Sequence, residues 1–324
     1  MKSDAVWVVA DKKIEIRPVE CLSPKYDEVQ IETKACGVCA WDSYLYRGLS
    51  APGPIPYVIG HEAVGIIREV GEGVKGFKPG DKVFCSSGGN QMMQQYFNQH
   101  YSCIAKIPDD VTDYPAWVLE PTTCVVNLLK NTQLEPGDSV ALVGAGYMGL
   151  LTLQGLTRGS CAGDITVFEI RKDRIALAEK LCPGHVYDPN SEEGKAKIEK
   201  IIQNGGVDVV IDFAASDSGY DLALSLRRYN AGKLVLGTWH RHEKTFDGTN
   251  WHMSGVNVLN LSPMSNRHYT DMIPRTAAMV MRGVYTPGEL VSHVAHYQDV
   301  EAVNDLFHKS IDKSDGYMKG VITF

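Results

Sequence analysis

The sequence predicts an α/β fold built from two parts. Six glycines between residues 60 and 80 interrupt the first hundred or so residues too often for helices, so this part has the pattern of a β-rich, turn-rich module. From about Thr122, short apolar runs alternate with helical stretches, which is typical of a doubly wound parallel sheet. A length of 324 residues has room for two domains, and a hydrophobic content of 44% lets each bury a core.

The individual elements follow from the pattern of apolar residues. In the first part, residues 28–34 alternate polar and apolar side chains, and 63–70 and 82–85 are further extended segments. In the second part, strands are predicted at 140–143, 165–168, 207–213, 234–236 and 256–261, with helices at 171–181 and 218–229. The last stretch suggests a helix at 269–282, a strand at 290–296, a helix at 300–309 and an extended segment at 320–324. We expect this last stretch to return to the first part.

Charge and composition narrow the classes of function. There are 32 basic and 39 acidic residues, a net charge of −7, and no block of like charges, so a nucleic-acid or membrane-surface binder is not indicated. The charges at 11–13 interrupt the N-terminal segment before it reaches the apolar length of a signal peptide, and no apolar run approaches a membrane span, so we expect a cytoplasmic protein. In such a protein the eight cysteines favour free thiols and metal ligands over disulfides.

A glycine-rich segment stands at the first strand-to-helix junction of the second part. It consists of Gly144, Gly146 and Gly149, with Tyr147 and Met148 inside it, and it follows the apolar run 140–143. These glycines would allow a tight turn, close approach of a pyrophosphate and close packing of helix on strand. The segment therefore predicts a dinucleotide site of the Rossmann type, although ordinary turn glycines or an S-adenosylmethionine site could share the pattern.

An acidic residue supports the dinucleotide interpretation. Glu169 ends the next predicted strand, twenty residues after Gly149, where a carboxylate would bind the adenosine ribose hydroxyls and repel a 2′-phosphate. This position favours NAD over NADP. Arg171 and Arg174 weaken the preference, because either could reach a phosphate.

A second group of residues has the character of metal ligands. Cys36 and Cys39 are followed by His61, and Glu120 precedes the second part. Cysteine, histidine and carboxylate are zinc ligands, and three protein ligands with an open position define a catalytic site. The cysteines alone could be a redox pair or two small buried residues, and His61 alone could be a half-buried histidine.

Together these motifs make the sequence resemble the zinc-dependent medium-chain alcohol and polyol dehydrogenases. The matching elements are ACGVCAWD at 35–42, GHEAVGIIREVGEGVKGFKPGDKV at 60–83, KIPDDV at 106–111, LEP at 119–121, GAGYMG at 144–149 and the closing VITF. The resemblance implies a GroES-like catalytic domain made of residues 1–121 and 265–324. A Rossmann domain for the cofactor, 122–264, would be inserted between these segments.

The resemblance also implies roles for individual residues of the metal site. Cys39 and His61 match metal ligands, whereas Cys36 matches a frequent cysteine that does not bind metal. Glu120 matches a position whose side chain reaches zinc directly or through a water. Glu62 matches a glutamate that can enter the coordination sphere.

Two further positions have implied roles beside the ligands and the cofactor. Asp42 matches a carboxylate that orients the histidine. Lys319 matches a basic residue that meets the cofactor pyrophosphate.

Two departures from the family pattern bear on function. The span 81–106 contains only Cys85 and Cys103, too few for the four-cysteine structural zinc lobe, so one zinc ion per chain is predicted. Trp41 occupies the position of the usual proton-relaying Ser or Thr, and indole donates a hydrogen bond but accepts none. The proton must then leave through Glu120 or Tyr44 with a water, or the chemistry is altered.

The leading hypothesis is a zinc- and NAD-dependent dehydrogenase of a polyol, sugar or amino alcohol. Alternatives are transient oxidation within an epimerisation or elimination, a family member that binds NAD without turnover and serves as a sensor or structural protein, and a methyltransferase with a zinc-dependent accessory domain. The polar loops 239–242 and 265–269 are further candidates for substrate contacts. We expect a homodimer or homotetramer, with the segment 256–261 at the interface.

Overall fold

The computed structural model describes residues 2–49, 55–86, 89, 91–241 and 243–324. These residues divide into two compact units, here called the β-rich unit (residues up to 123 together with 268–324) and the α/β unit (124–267). The predicted domain boundaries lie two or three residues from these limits. Each unit encloses its own cluster of buried apolar side chains.

The β-rich unit is formed by both ends of the chain. Its elements before the α/β unit are β1 (Lys2–Ala10), β2 (Lys13–Glu20), β3 (Glu28–Val38), α1 (Ala40–Tyr46), β4 (Tyr57–Val58), β5 (Ala63–Val70), β6 (Lys82–Cys85), β7 (Tyr96–His100) and β8 (Ile104–Lys106). Helix α2 (Glu120–Thr132) runs across the boundary at residue 123.

The α/β unit alternates strands and helices, as the sequence predicts. Its elements are β9 (Val140–Val143), α3 (Tyr147–Gly159), β10 (Ile165–Phe168), α4 (Lys172–Leu181), β11 (Val186–Tyr187), α5 (Glu192–Gln203), β12 (Val209–Asp212), α6 (Asp217–Leu226), β13 (Lys233–Leu236), α7 (Gly248–Ser254) and β14 (Asn257–Asn260). Within the described residues all its strand pairs are parallel, in the order β11-β10-β9-β12-β13-β14. This order reverses between β9 and β12, where doubly wound sheets bind ligands. The mixed α/β prediction is confirmed.

The chain then returns to the β-rich unit, as expected. The closing elements are α8 (Met272–Met281), β15 (His293–His296), α9 (Val300–Asp312) and β16 (Gly320–Thr323). Strand β16 pairs antiparallel with β3, so that Gly320 faces Val38 and Ile322 faces Cys36. The end of the chain therefore lies beside the segment that carries the candidate cysteine ligand.

Several predicted elements differ in extent from those in the structure. Strand β3 continues to Val38, four residues past the predicted end, because its last residues are buried on both faces and lose the alternation of a half-exposed strand. The predicted helix 269–282 is instead a 3-10 turn at Tyr269–Asp271 followed by α8, since Pro274 is tolerated only in the first helical turn. The predicted strand 290–296 is shortened to β15 by a 3-10 turn at Pro287–Leu290.

Two further predictions concern membranes and the interface. None of the helices within the described ranges has the length and apolar character to cross a membrane. The predicted interface segment corresponds to β14, the edge strand of the parallel sheet. The oligomeric state stays a prediction.

The turn formed by the glycine-rich segment 144–149 suggests a first test of the fold. A Cβ atom at Gly149 would lie 2.1 Å from the carbonyl oxygen of Gly144, so the start of α3 could not pack on the turn. We expect Gly149→Ala to lower the free energy of unfolding by about 1–3 kcal/mol, as overpacking usually does. Urea unfolding measures this change. Gly248→Ala is the control, since its Cβ would have nothing nearer than 3.9 Å, and equal losses for both variants would contradict the packing argument.

Candidate metal centre and nucleotide pocket

Three potential metal ligands come together in the β-rich unit. Cys39, His61 and Glu62 each offer one ligand atom, and these atoms lie within 4.8 Å of one another. Cys39 is the N-cap residue just before α1, and His61 and Glu62 precede β5. Within the described part of the chain this is the only group of its kind.

One buried carboxylate connects the two segments that carry these ligands. Asp42 accepts a hydrogen bond from the backbone N–H of Cys39 (2.9 Å) and another from that of Gly60 (3.2 Å). Its Oδ1 lies 3.5 Å from Nδ1 of His61, which is longer than a usual hydrogen bond. Asp42 thereby fixes the backbone at Cys39 and at Gly60, the residue before His61, while its direct orientation of the imidazole stays a prediction.

The surroundings of His61 suit a metal ligand. Its Nδ1 atom is buried and has no hydrogen-bond partner among the described residues. Burial lowers the pKa of His61, but the neighbouring Asp42 and Cys39 outweigh this effect and leave the pKa well above its usual value. An imidazole whose Nδ1 is buried and has no hydrogen-bond partner within the described ranges, beside a thiol and a carboxylate, matches the donor set of zinc.

Glu62 also takes part in a buried ion pair that sequence analysis missed. Lys319 donates to the Glu62 carboxylate and to the carbonyl oxygen of Val38 (3.1 Å). Both charged side chains are nearly inaccessible, with exposures of 1% for Glu62 and 4% for Lys319. A Cβ atom at Gly37 would lie 2.0 Å from Glu62 Oε2, so only glycine leaves room for this carboxylate. The predicted contact of Lys319 with a pyrophosphate stays a prediction.

The pairing of β16 with β3 brings Lys319 to Glu62 from 257 positions away in the sequence. Tyr317 stabilises the backbone next to Lys319, because its hydroxyl accepts a hydrogen bond from the backbone N–H of Gly320 (3.0 Å). Burial raises the pKa of Tyr317 to about 12, so the phenol stays neutral. Local sequence signals could not have revealed the contact between Lys319 and Glu62.

Other predicted site residues lie outside the three-ligand group. Glu120 is the buried first residue of α2, and its carboxylate is not among the ligand atoms within 4.8 Å of one another. Trp41 packs against the apolar core of the β-rich unit, and the guanidinium of Arg47 lies 5.9 Å from the ring centre of Tyr44. The catalytic roles predicted for Glu120, Trp41 and Tyr44 stay predictions.

The loops predicted to meet substrate have identified contacts within their own units. Tyr269 shares a hydrogen bond with Ser86 (3.0 Å), and Asn266 donates to Asn127 (2.6 Å). In the loop 239–242, Arg241 lies over the ring of the exposed Trp239. His242 lies outside the described residues.

A cavity of about 380 Å³ adjoins the glycine-rich turn of the α/β unit. Its lining includes Gly144, Gly146, Glu169, Arg171 and Arg174. The glycine turn therefore lies in the same cavity as the acidic residue twenty positions later, an arrangement that a dinucleotide site requires.

The other residues of the glycine-rich segment form the turn or begin the helix that follows it. Gly144 has a φ of +97°, in the region that glycine favours, and Gly149 packs on its carbonyl group. Tyr147 and Met148 are the first two residues of α3. They are not part of the cavity lining, so a contact of their side chains with the cofactor stays a prediction.

The Glu169 carboxylate is extensively hydrogen-bonded to the backbone. Oε2 accepts from Ala145 N–H (2.7 Å), and Oε1 accepts from the N–H groups of Ile170 (2.8 Å) and Arg171 (2.9 Å). Glu169 thus fastens the glycine turn to the end of β10, a role that its spacing alone does not indicate. Arg174 lies 4.0 Å from the carboxylate, and Arg171 binds Asp173 through two nitrogens.

Comparisons with known proteins agree with this arrangement. Residues 25–109 match the profile of the alcohol dehydrogenase GroES-like domain, and residues 148–278 match the zinc-binding dehydrogenase profile. A zinc-type alcohol dehydrogenase-like protein of Escherichia coli is 24% identical, covering 99% of both chains, and sorbitol dehydrogenase of Bacillus subtilis is 27% identical over 73% of this chain and 74% of its own. A solved structure from E. coli, an alcohol dehydrogenase complexed with NADH, has a TM-score of 0.84 at 22% identity, covering 100% of this chain and 99% of its own.

The two units and their sites define a zinc-type oxidoreductase with a nicotinamide cofactor. The chain belongs to the zinc-dependent medium-chain alcohol dehydrogenase family, whose members act on CH–OH groups. The resemblance found in the sequence is confirmed, as are the GroES-like and Rossmann folds of its parts.

The buried ion pair supports a prediction on stability. Lys319→Met leaves the Glu62 charge buried without its partner, and we expect a loss of about 3–5 kcal/mol in the free energy of unfolding. Adding Glu62→Gln should recover part of this loss because it removes the unpaired charge. Chemical denaturation of zinc-free protein measures both effects. The exposed Lys75→Met serves as the control, and a Lys319→Met variant as stable as that control would contradict the argument.

Proposed function

We propose that the protein is a zinc- and NAD-dependent dehydrogenase that oxidises a secondary hydroxyl group of a polyol, sugar or amino alcohol. The observation that supports this most directly is the group of Cys39, His61 and Glu62 in one unit, in a chain whose other unit has a dinucleotide pocket. Neither feature alone would distinguish a dehydrogenase from a zinc-binding or nucleotide-binding protein.

The chain's own residues would bind one zinc ion. Cys39 and His61 would supply the thiolate and the imidazole, and Glu62 a carboxylate. Glu120, outside this group, is the second carboxylate that the family resemblance implies. A zinc ion held there would supply Lewis acidity toward a substrate hydroxyl, and NAD⁺ bound to the α/β unit would supply the hydride acceptor. A second, structural ion would need four thiolates where residues 81–106 supply two.

The ligand set favours substrates with acidic hydroxyl groups. One thiolate with one or two carboxylates leaves a bound zinc ion neutral or negative overall, so it is a milder Lewis acid than in an imidazole-rich site. Polyols and sugars suit such a site, because neighbouring oxygens already lower the pKa of their hydroxyl groups. The similarity to sorbitol dehydrogenase supports the same class. Trp41 would narrow the pocket or stack on a sugar face.

The charged side chains around the cavity predict which cofactor, NAD or NADP, the protein prefers. Glu169 places a buried carboxylate in the cavity beside the glycine-rich turn, here called the adenosine cavity, where it would disfavour a 2′-phosphate. Arg171, which could bind such a phosphate, is instead held by Asp173 at 3.1–3.2 Å. Together these contacts favour NAD over NADP.

Replacing Glu169 tests this preference. Glu169→Ala removes an acceptor for the ribose hydroxyls together with the charge that repels a phosphate. We therefore expect NADH affinity to fall at least roughly tenfold relative to NADPH affinity, about 1.4 kcal/mol. Fluorescence titration with each cofactor gives the ratio. Because Glu169 also binds three backbone N–H groups, thermal unfolding must accompany the titration. An unchanged ratio in a folded variant would refute the assigned role.

A metal and activity assay tests the function as a whole. Wild-type protein should contain about one zinc ion per chain and reduce NAD⁺ with at least one substrate from a panel of polyols, sugars and amino alcohols. His61→Ala should lose both the zinc and the activity, whereas His185→Ala, a variant of an exposed histidine in the α/β unit, should keep them. Two zinc ions per chain, or full activity of His61→Ala, would contradict the proposal.

Trp41 supports a second candidate function. Because its indole cannot relay a proton, the protein could bind zinc and NAD for transient oxidation in an epimerisation or elimination, or act as a sensor. The same panel of substrates distinguishes these three functions. Net NADH accumulation indicates dehydrogenation, substrate conversion without it indicates transient oxidation, and cofactor binding without conversion of any tested compound favours a sensor.

A further inference from the structure

A buried carboxylate and an imidazole form a pair in the α/β unit that the proposed function leaves unexplained. Asp212, the last residue of β12, is fully buried, and His240, four residues after β13, is 11% exposed. Nε2 of His240 lies 2.7 Å from Oδ2 of Asp212. Neither residue belongs to the metal group or lines the adenosine cavity.

The contacts around this pair fix both side chains. Oδ1 of Asp212 accepts from the N–H of Ala214 (2.8 Å), and its backbone carbonyl accepts from the N–H of Gly237 (3.0 Å). Tyr220 meets the His240 ring edge-on at 5.4 Å. Both carboxylate oxygens of Asp212 form hydrogen bonds, so the carboxylate is fixed and holds the imidazole in a defined position and orientation.

The hydrogen bond also determines which nitrogen carries the proton. An ionised carboxylate only accepts hydrogen bonds, so Nε2 of a neutral His240 must be the donor. Nδ1 is then a hydrogen-bond acceptor, and it has no partner among the residues that the structure describes. Anchoring the loop to β12 uses one ring nitrogen and leaves the other available for a ligand.

The topology places the pair beside the adenosine cavity, on the side of the switch point that holds β12 and β13. The cavity is lined by residues at the ends of β9 and β10 and by Phe213 and Ala214 just after β12, and a dinucleotide spans the two halves of such a sheet. The ends of β12 and β13 therefore belong to the half that binds the second nucleotide. Phe213 joins the two regions: it lines the adenosine cavity, and its ring would lie 2.6 Å from a Cβ at Gly237.

We propose that His240, oriented by Asp212, accepts a hydrogen bond at Nδ1 from the nicotinamide nucleotide of the cofactor. The donor is either a hydroxyl of the nicotinamide ribose or the carboxamide N–H group. This inference rests on the proposed function, because it requires that the α/β unit binds a nicotinamide dinucleotide.

Three variants separate cofactor binding from structural support. His240→Gln can keep the donor to Asp212 but lacks an acceptor in the place of Nδ1. Asp212→Asn keeps the shape of the side chain, yet its amide would donate to Nε2 and move the ring proton to Nδ1. His252→Gln, on the exposed surface of α7, is the matched control.

The affinities of three ligands should then differ in a characteristic way. His240→Gln and Asp212→Asn should each weaken NADH binding by roughly five- to tenfold, the effect of one lost hydrogen bond, while AMP binding stays within about twofold of wild type. ADP-ribose distinguishes the two donors. Weakening by the same factor as NADH indicates the ribose hydroxyl, and unchanged affinity indicates the carboxamide.

Isothermal titration calorimetry measures these affinities, and thermal unfolding shows whether each variant is folded. Unchanged NADH affinity in both folded variants would overturn the inference, as would equal weakening of NADH and AMP, since the pair would then only support the pocket. Failure of wild-type protein to bind NADH would refute the proposed function instead.

Discussion

The pairing of the last strand, β16, with β3 is the contact on which the candidate metal centre depends. It brings Lys319 into the interior beside Glu62, next to Cys39 and His61. Burying a charge without a partner is costly, so the lysine compensates for the burial of the Glu62 carboxylate. The candidate metal centre is thus assembled from both ends of the chain.

The sites of the two units are built by a similar principle. In each, a buried carboxylate binds backbone N–H groups from two separate segments: Asp42 joins the residues around Cys39 and Gly60, and Glu169 joins the glycine turn to the end of β10. Hydrogen bonds to a charged acceptor are stronger than those between neutral groups, so a single side chain can hold a loop in place. Such rigidity suits sites that must present ligands or phosphate-binding groups in fixed positions.

The sequence indicated the fold well where the pattern was local. The apolar runs of the α/β unit and the glycine turn with Glu169 identified the Rossmann fold correctly. Extents were less accurate, because burial on both faces hides the end of β3 and Pro274 delays the start of α8. Cys39, His61 and Glu62 were identified from the family resemblance, and the structure brings them together. Glu120 lies outside this group, and its ligand role remains a prediction.

The sequence by itself therefore determined the class of protein, the cofactor fold and the types of ligand, since strand periodicity, glycine spacing and the cysteine and histidine motifs are local features. Only the tertiary structure decided which buried polar side chains form pairs. The Glu62 and Lys319 pair joins residues 257 positions apart, and the Asp212 and His240 pair joins the ends of two neighbouring parallel strands. The physical reason is that the partner of a buried charge is set by strand register and topology, which depend on the packing of the whole unit.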